Sequence, residues 1–402
     1  MLLKMALRNI IRNRRRSLLT GMMMSGGFVF ISISLGFLDG SYGAIISLFT
    51  GQHTGHIQIT DKSYIKTPSL YKTIHNFETV LTDLSKNKSI RALAPRIHSE
   101  ALVYYKSATF GAEVVGIDPI AEDAATAYSR RILNGSALSE TSGYDVLVGK
   151  TLARVLQVGI GDDIVLISQG ADGSIANDIF RVIGSVGTEQ EGRDDYRIYM
   201  PLKTAAEFFS LYHQAHEISV HLYDFNLASR ISDSLVDSDS ALVARPWQEV
   251  ESDFYRTMQL DRQGNDVSIL ILMLMVGIGV LNTILMSTLE RSREFGVLKA
   301  LGTHPAHIFF MIMSEGLILS VFAAALGSLV STIINEYLSQ SGIQFAEPVS
   351  FAGMKISEFR SSVTSGTILF PSCVIIFTTL LASLYPALKS SKSSVSDALR
   401  EF

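Results

Sequence analysis

Four stretches of the chain are long, apolar and almost free of charge. Residues 17–38, 267–289 and 361–388 contain no charged side chain, and residues 305–334 contain only Glu315 together with His307. A helix rises about 1.5 Å per residue and the hydrocarbon core of a bilayer is roughly 30 Å thick, so about 20 apolar residues cross it. Lipid offers no partner to exposed backbone groups, which requires each span to be helical throughout. The pattern predicts four transmembrane helices.

Between the first two spans the periodicity changes. Gly55-His56-Ile57-Gln58-Ile59-Thr60 alternates as a half-buried strand does. Residues 101–105 and 112–117 predict a hairpin around Lys106-Ser107, residues 146–148 a buried strand, and residues 150–158 a short helix. Strands follow at 164–168, 179–186 and 197–200, with the polar, glycine-containing stretch 169–178 as a loop. Trp247, Val250, Phe254 and Met258 recur at helical spacing and predict an amphipathic stalk running into the second span. The fold class is therefore an α-helical membrane protein with four transmembrane helices and a large mixed α/β extracytoplasmic domain between helices 1 and 2.

Charge orients this layout. Lys4, Arg8, Arg12, Arg14, Arg15 and Arg16 precede the first span with no acid among them, and Lys389 and Lys392 follow the fourth. Short basic flanks stay in the cytoplasm, so both termini are expected there. The basic segment 1–16, the connector 290–304 and the tail 389–402 are then cytoplasmic, while 39–266 and the short loop 335–360 face outward. The first span exceeds the roughly 7–15 residues of a signal-peptide core, and Asp39-Gly40-Ser41-Tyr42 offers no small-x-small cleavage site, so an uncleaved anchor is expected.

Composition narrows the chemistry. Of 402 residues, 47% are hydrophobic and only 18% charged, and the net charge of -4 gives no basic footprint for nucleic acid. A single cysteine, Cys373, precludes an intrachain disulfide, and its apolar surroundings predict a buried thiol. Gly149-Lys150-Thr151 looks like part of a phosphate-binding loop, but that loop needs a glycine four intervening residues earlier, where Tyr144 stands. A strand-to-helix turn is expected instead, with no ATP hydrolysis by this chain. His53 and His56, and His213, His216 and His221, cluster too loosely to predict a metal. With no nucleophile elbow either, no catalytic residue is assigned. Glu315 is the one carboxylate inside an apolar run; such a charge reads as functional or as a helix–helix hydrogen bond, and Gly316 beside it permits close packing.

The connector carries the strongest signal. Glu290, Arg291, Arg293, Glu294, Phe295, Gly296, Leu298, Lys299 and Gly302 form a short charged helix with an apolar face at Phe295, Leu298 and Leu301, ended by the glycine. A solvated connector has no need of that face, so it wants a partner. The segment resembles the coupling helix of the FtsX-like permease family, which includes MacB-type exporters and LolC–LolE lipoprotein-releasing subunits. Ala6-Leu7-Arg8-Asn9, Val148-Gly149-Lys150 with Ala153 and Gly161-Asp162, Tyr385-Pro386-Ala387 and Asp397-Ala398-Leu399-Arg400 also resemble family stretches, in order along nearly the whole chain. Val395 stands where the family usually has proline, and Gly55-His56-Ile57-Gln58-Ile59 looks most like the lipoprotein-release branch.

The resemblance implies a multi-pass permease of the bacterial inner membrane, paired with a second permease chain, identical or a sister subunit, and docked on two ATPase subunits. This chain itself carries no cofactor; ATP and Mg would be bound by those ATPases. Closure of the ATPases would push the coupling helices and move the external domain, a mechanotransmission. Cargo would enter near Phe37, Leu38, Ile269, Leu270 and Met273, unless these five simply face membrane lipid. Three functions fit the family: release of lipoproteins, with a periplasmic carrier as possible partner; an ATPase-driven signalling scaffold controlling a periplasmic partner such as a cell-wall hydrolase; and drug or peptide efflux.

Overall fold

The computed structural model describes residues 8, 9, 12, 14–65, 67–187, 193–236, 241–351 and 354–393. The chain forms two compact units. One gathers the segment up to Gly43, Met258–Gln344 and the segment from Glu358; the other gathers Ala44–Thr257 and Phe345–Ser357.

The first unit is helical. Its long helices are Arg14–Phe49 (helix 1), Ser252–Glu290 (helix 2), Pro305–Ser341 (helix 3) and Ser365–Lys392 (helix 4), all long and apolar enough to cross a membrane. Helix 3 starts where Pro305 presets the backbone and the His304 ring accepts the Ala306 N–H. Helix 4 starts at a capping box between Thr364 and Thr367. Met24, Phe28, Val276, Val280, Ile308, Ile312 and Ile375 make the shared core. In lipid, helix association relies on close packing rather than on water exclusion, and small residues provide it. A Cβ on Gly327 would stand 2.7 Å from the Phe28 ring, and one on Gly316 would stand 2.5 Å from Ser383 Oγ. The Ser25 hydroxyl donates to the Ala323 carbonyl across the same interface.

Three expectations are corrected here. Cys373 is exposed, because helix 4 turns Pro371, Ile375, Thr378 and Thr379 inward and leaves the cysteine on the opposite side. Helix 1 continues past residue 38, with Gly40 passing so close to the Arg360 carbonyl that a Cβ would overlap it. The stretch 335–360 is not a plain loop: helix 3 runs on to Ser341 and a two-stranded hairpin follows, Ile343–Phe351 with Met354–Phe359.

The second unit is built on a ten-stranded mixed sheet. Its strands are β1 (Ile57–Asp61), β2 (Ile90–Tyr105), β3 (Ala108–Ile117), β4 (Ile132–Gly135), β5 (Asp145–Gly149), β6 (Asp163–Gln169), β7 (Ile175–Val186), β8 (Arg197–Pro201), β9 (Glu217–Leu222) and β10 (Leu242–Pro246). They run in the order β10-β1-β9-β2-β3-β8-β5-β7-β4, with β6 pairing β2 and β7. The expected hairpin is β2–β3, closed by Lys106 in the left-handed region. Ile97, Val103, Val114, Val148, Leu152, Ile164, Phe180 and Phe209 build the main core on one side of the strands. Gly149-Lys150-Thr151 is the turn from β5 into the helix Lys150–Leu156. Ile175–Asp178, expected in a loop, already belong to β7, which pairs with β6 from Gln169↔Ile175 onward. The amphipathic stretch from Trp247 is not one helix: Trp247–Val250 stops at Glu251, whose ψ of 53° breaks the ladder, and the next helix starts at Ser252.

Candidate coupling site

The connector forms the helix Ser292–Ala300, set off from helix 2 by the non-helical backbone of Arg291. Gly302 ends it at φ +91°, with the Gly302 N–H on the Lys299 carbonyl and the Thr303 N–H on the Leu298 carbonyl. This is the glycine-terminated double bond that satisfies a helix's last carbonyls. Phe295 is only 2% exposed, inside the core shared by the four long helices, and Leu298 packs beside it. Leu301 was expected on the same face but is 78% exposed, because the glycine turn unwinds the backbone before that position. Arg293, Val297, Ala300 and Leu301 are left as an exposed face.

Charged side chains hold the opposite edge. Arg16 grips Glu290 through two bonds of 2.7 Å, and Arg12 grips Glu294 at 3.0 and 3.1 Å. Positions 12 and 16 are one turn apart, as are 290 and 294, so two rungs form in antiparallel register. Arg291 is 8% exposed by side chain; its Nε reaches Glu294 at 3.1 Å, its Nη1 reaches Glu315 at 2.8 Å, and its guanidinium lies over the Phe295 ring. Asn9 Nδ2 donates to the same Glu315 oxygen at 2.6 Å. Burial pushes the Glu294 carboxyl up, but hydrogen bonds from Arg12 and Arg291 outweigh it and hold it below the usual range. At the far end Lys299 Nζ donates to the carbonyls of Ser390 and Ser393. Of the predicted set, Arg291, Phe295, Leu298 and Lys299 therefore pack into the unit, Glu290 and Glu294 pair at its surface with Arg16 and Arg12, and Arg293 is left exposed.

The magnitudes differ. An exposed ion pair such as Arg12–Glu294 is worth about 0–1 kcal/mol. Removing one partner of a buried pair such as Arg291–Glu315 costs about 3–5 kcal/mol, because the other charge is stranded. Truncating Phe295 to alanine should cost about 3–5 kcal/mol through lost burial and the cavity left.

Comparisons with known proteins place the chain in a family. Residues 17–237 match the MacB-like periplasmic core domain and residues 267–395 the FtsX-like permease C-terminal domain. The chain belongs to the FtsX/MacB/LolC family of ABC transporter permeases. It is 20% identical over 386 residues to the lipoprotein-releasing system transmembrane protein LolC of Neisseria meningitidis serogroup B, covering 92% of this chain and 90% of that one. LolE of Haemophilus influenzae is 22% identical over 336 residues, 80% of each chain. The macrolide export ATP-binding/permease protein MacB of Nitrobacter winogradskyi is 29% identical over 245 residues, 57% of this chain but 36% of that longer one.

In this permease the five cargo candidates differ in exposure. Ile269 is buried, Leu270 is exposed, and Phe37, Leu38 and Met273 are half-buried. Polar rungs between helices 1 and 2, missed in the sequence, lie among them: Ser34 to Asn265, Tyr42 to Asp261, and Asp39 facing Arg262 at 3.9 Å. The signal was there in Asp261, Arg262 and Asn265, polar residues at helical spacing next to an apolar span. Of the family-like terminal stretches, Arg8 and Asn9 are helical, while Ala6, Leu7, Val395 and Asp397-Ala398-Leu399-Arg400 lie outside the described residues.

The external unit holds a second charged constellation that the sequence did not single out. Arg197 meets Glu113 at 2.8 Å; His98 bridges Glu113 at 2.8 Å and Glu217 at 3.3 Å; Arg96 binds Glu217 at 3.0 Å and Glu122 at 2.8 Å. This row of alternating sign crosses four neighbouring strands and floors a cavity of about 860 Å³ walled by Gln58, Tyr64, Leu70 and Glu251. Burial lowers the His98 pKa, but the flanking Glu217 and Glu113 carboxylates outweigh it and raise it to about 9. Burial likewise raises Glu113, yet His98 and Arg197 bring it down to about 2. The predicted histidine groups disperse. His213 pairs with Glu78 at an exposed site; His216 accepts the His98 backbone N–H and lies against Tyr64 with the rings tilted; His221 is bonded to Ser219 and sits beside His56. The His53 side chain lies outside the described residues. Among the described residues no group of three His, Cys, Asp or Glu side chains could hold a metal ion.

Proposed function

We propose that this chain is the non-catalytic permease subunit of an ABC transporter that uses ATP hydrolysis by two copies of a separate ATPase to extract or release lipid-anchored cargo. In this reading the termini and the helix Ser292–Ala300 lie in the cytosol, a second permease chain completes the membrane part, and the external domain moves with the ATPase cycle. One observation carries it: a short helix is pinned into the helical core by Phe295 and held along one edge by ion pairs, yet leaves Arg293, Val297, Ala300 and Leu301 open to a partner. An exposed apolar–basic face on an otherwise anchored helix is a docking element.

Lipid-anchored cargo is favoured by the two lipoprotein-releasing relatives, which match most of the chain. Efflux of an amphipathic small molecule is the second reading, supported by the shorter but more identical match to a macrolide exporter. The test is an Arg293→Glu, Leu301→Asp double variant co-expressed with the ATPase subunit that co-purifies with the unaltered chain. Capture of the ATPase should fall about tenfold or more, as expected for loss of central docking contacts, while the permease stays inserted and folded. Undiminished capture would remove the docking assignment. Vesicles carrying the intact complex, loaded in parallel with an acylated peptide and with erythromycin, then separate the two cargo readings.

A further inference from the structure

The three elements that meet at Glu315 have no sequence proximity, and they meet on one oxygen. Asn9, ahead of helix 1, and Arg291, at the head of the connector helix, both donate to Glu315 Oε1. Arg291 has no slack there, because Nε is held by Glu294 and the guanidinium plane rests on Phe295. Its head group therefore moves as part of the connector helix. Glu315 in turn belongs to a helix 3 turn that is packed hard against helix 4, where Gly316 leaves no room for a Cβ beside Ser383.

The covalent route between the same two elements is looser. It runs through Gly302, Thr303 and His304, and Gly302 is exposed at positive φ. A turn of this kind absorbs a displacement of the preceding helix rather than passing it on. Packing alone would need no charge at position 315; a glutamine fills the same space and still accepts the Asn9 bond. A carboxylate within an apolar helix is costly, and its retention with a buried arginine partner points to a use for the charge.

We propose that the Arg291–Glu315 pair is the joint that passes displacement of the connector helix into helix 3, with Asn9 positioning the Glu315 carboxylate from the side of helix 1. This rests on the coupling role proposed above. Two states of the connector would then bias helix 3 directly, which is the physical requirement for coupling between two sites. Glu315 and Arg291 are positioning residues in this account.

The test uses the full permease with its ATPase in nanodiscs, in a Cys373→Ser background with a spin label at Ile333→Cys, an exposed site on helix 3. The readout is the change in label spectrum on trapping with ATP and vanadate. Glu315→Gln should shrink that change by about 2- to 30-fold, the range seen for residues along coupled networks, with the ATPase still bound and the helical unit folded at the temperature of the measurement, although it melts below the unaltered chain. Glu315→Asp, which restores the charge, should recover part of it. A full spectral change in Glu315→Gln would overturn the joint while leaving the docking reading intact. So would a loss that accompanies unfolding and that Glu315→Asp fails to reverse. Failure of the unaltered chain to bind an ATPase, or to respond to ATP, would instead overturn the docking reading and this joint with it.

Discussion

The molecule uses one device twice, in different surroundings. In the external unit, Arg197, Glu113, His98, Glu217 and Arg96 alternate in sign across neighbouring strands and end on Glu122 of the helix Pro119–Thr126, and Arg96, Glu122 and Glu217 are almost fully buried. In the helical unit, Arg12, Glu294, Arg291 and Glu315 alternate in the same way, but Arg12 and Glu294 are about half exposed. Burial decides what each network does. Buried charges that satisfy one another are expensive to separate, so the strand row fixes one arrangement. Pairs open to solvent are worth little individually and exchange readily with water, so the helical row can be remade as its parts move. One end of it, Arg291–Glu315, is the least exposed, at 8% and 16% by side chain, and is the part of the network suited to act as a fastening.

The largest break comes from the buried row. Arg96→Ala leaves Glu122 and Glu217 facing each other without their common cation and should destabilise the external unit by about 3–5 kcal/mol. Hydrogen exchange of β2 and β9 in the full chain reads this locally, without assuming that both units unfold together. Unchanged protection of those strands would show that the row is ornamental.

A pH series sharpens the same contrast with an effect of up to about 3 kcal/mol per group. His98 has its pKa raised to about 9, so its contribution is complete below about 6.5 and is lost as pH rises through 9. Burial lowers His56, with Arg91 nearby, and His216, with His98 nearby, to about 4. Their contribution is complete above about 6.5 and is lost as pH falls towards 4. Glu113, held at about 2, withdraws its share only below about 4.5. The external unit should therefore be most stable near pH 6.5, and His98→Gln should flatten the alkaline side most, with a smaller change on the acid side because His98 also biases Glu113 and His216. A profile whose alkaline fall survives that substitution would assign it to another group.

What could be read in advance follows from the range of the interactions. Helices 1 to 4 were legible because length and the absence of charge are local properties, and the β2–β3 hairpin because its cue is period two. The Gly302 stop was legible for the same reason. The ion pairs were not: Arg12 lies 282 residues from Glu294, and a basic stretch before an apolar span already has a sufficient explanation in membrane orientation. Arg12 and Arg16 grip the connector as well. The strand row was hidden differently. Arg96, His98 and Glu100 fall at every second position and look like the solvent face of β2; that Tyr64, Pro68 and Leu70 wall that face is a tertiary fact with no local trace. Leu301 and Cys373 failed by extrapolation, the first across a helix end and the second from composition to orientation.

The smallest effect separates the two networks most clearly. Arg12→Gln removes an exposed partner of Glu294, and Arg291 remains bonded to that carboxylate. Stability of the helical unit should change by no more than about 1 kcal/mol. Salt gives the same comparison without mutation. The Debye length falls from about 10 Å at 0.1 M to about 3 Å at 1 M, which screens exposed pairs and leaves buried ones nearly intact. Raising salt should thus loosen the connector helix in hydrogen exchange in the same direction as Arg12→Gln, and salt added to the variant should do less than it does to the unaltered chain, acting only on the remaining Arg16–Glu290 pair. Strands β2 and β9 should keep their protection throughout. Equal salt sensitivity in the two regions would mean that water reaches the row beneath the cavity, and burial would no longer account for the difference between them.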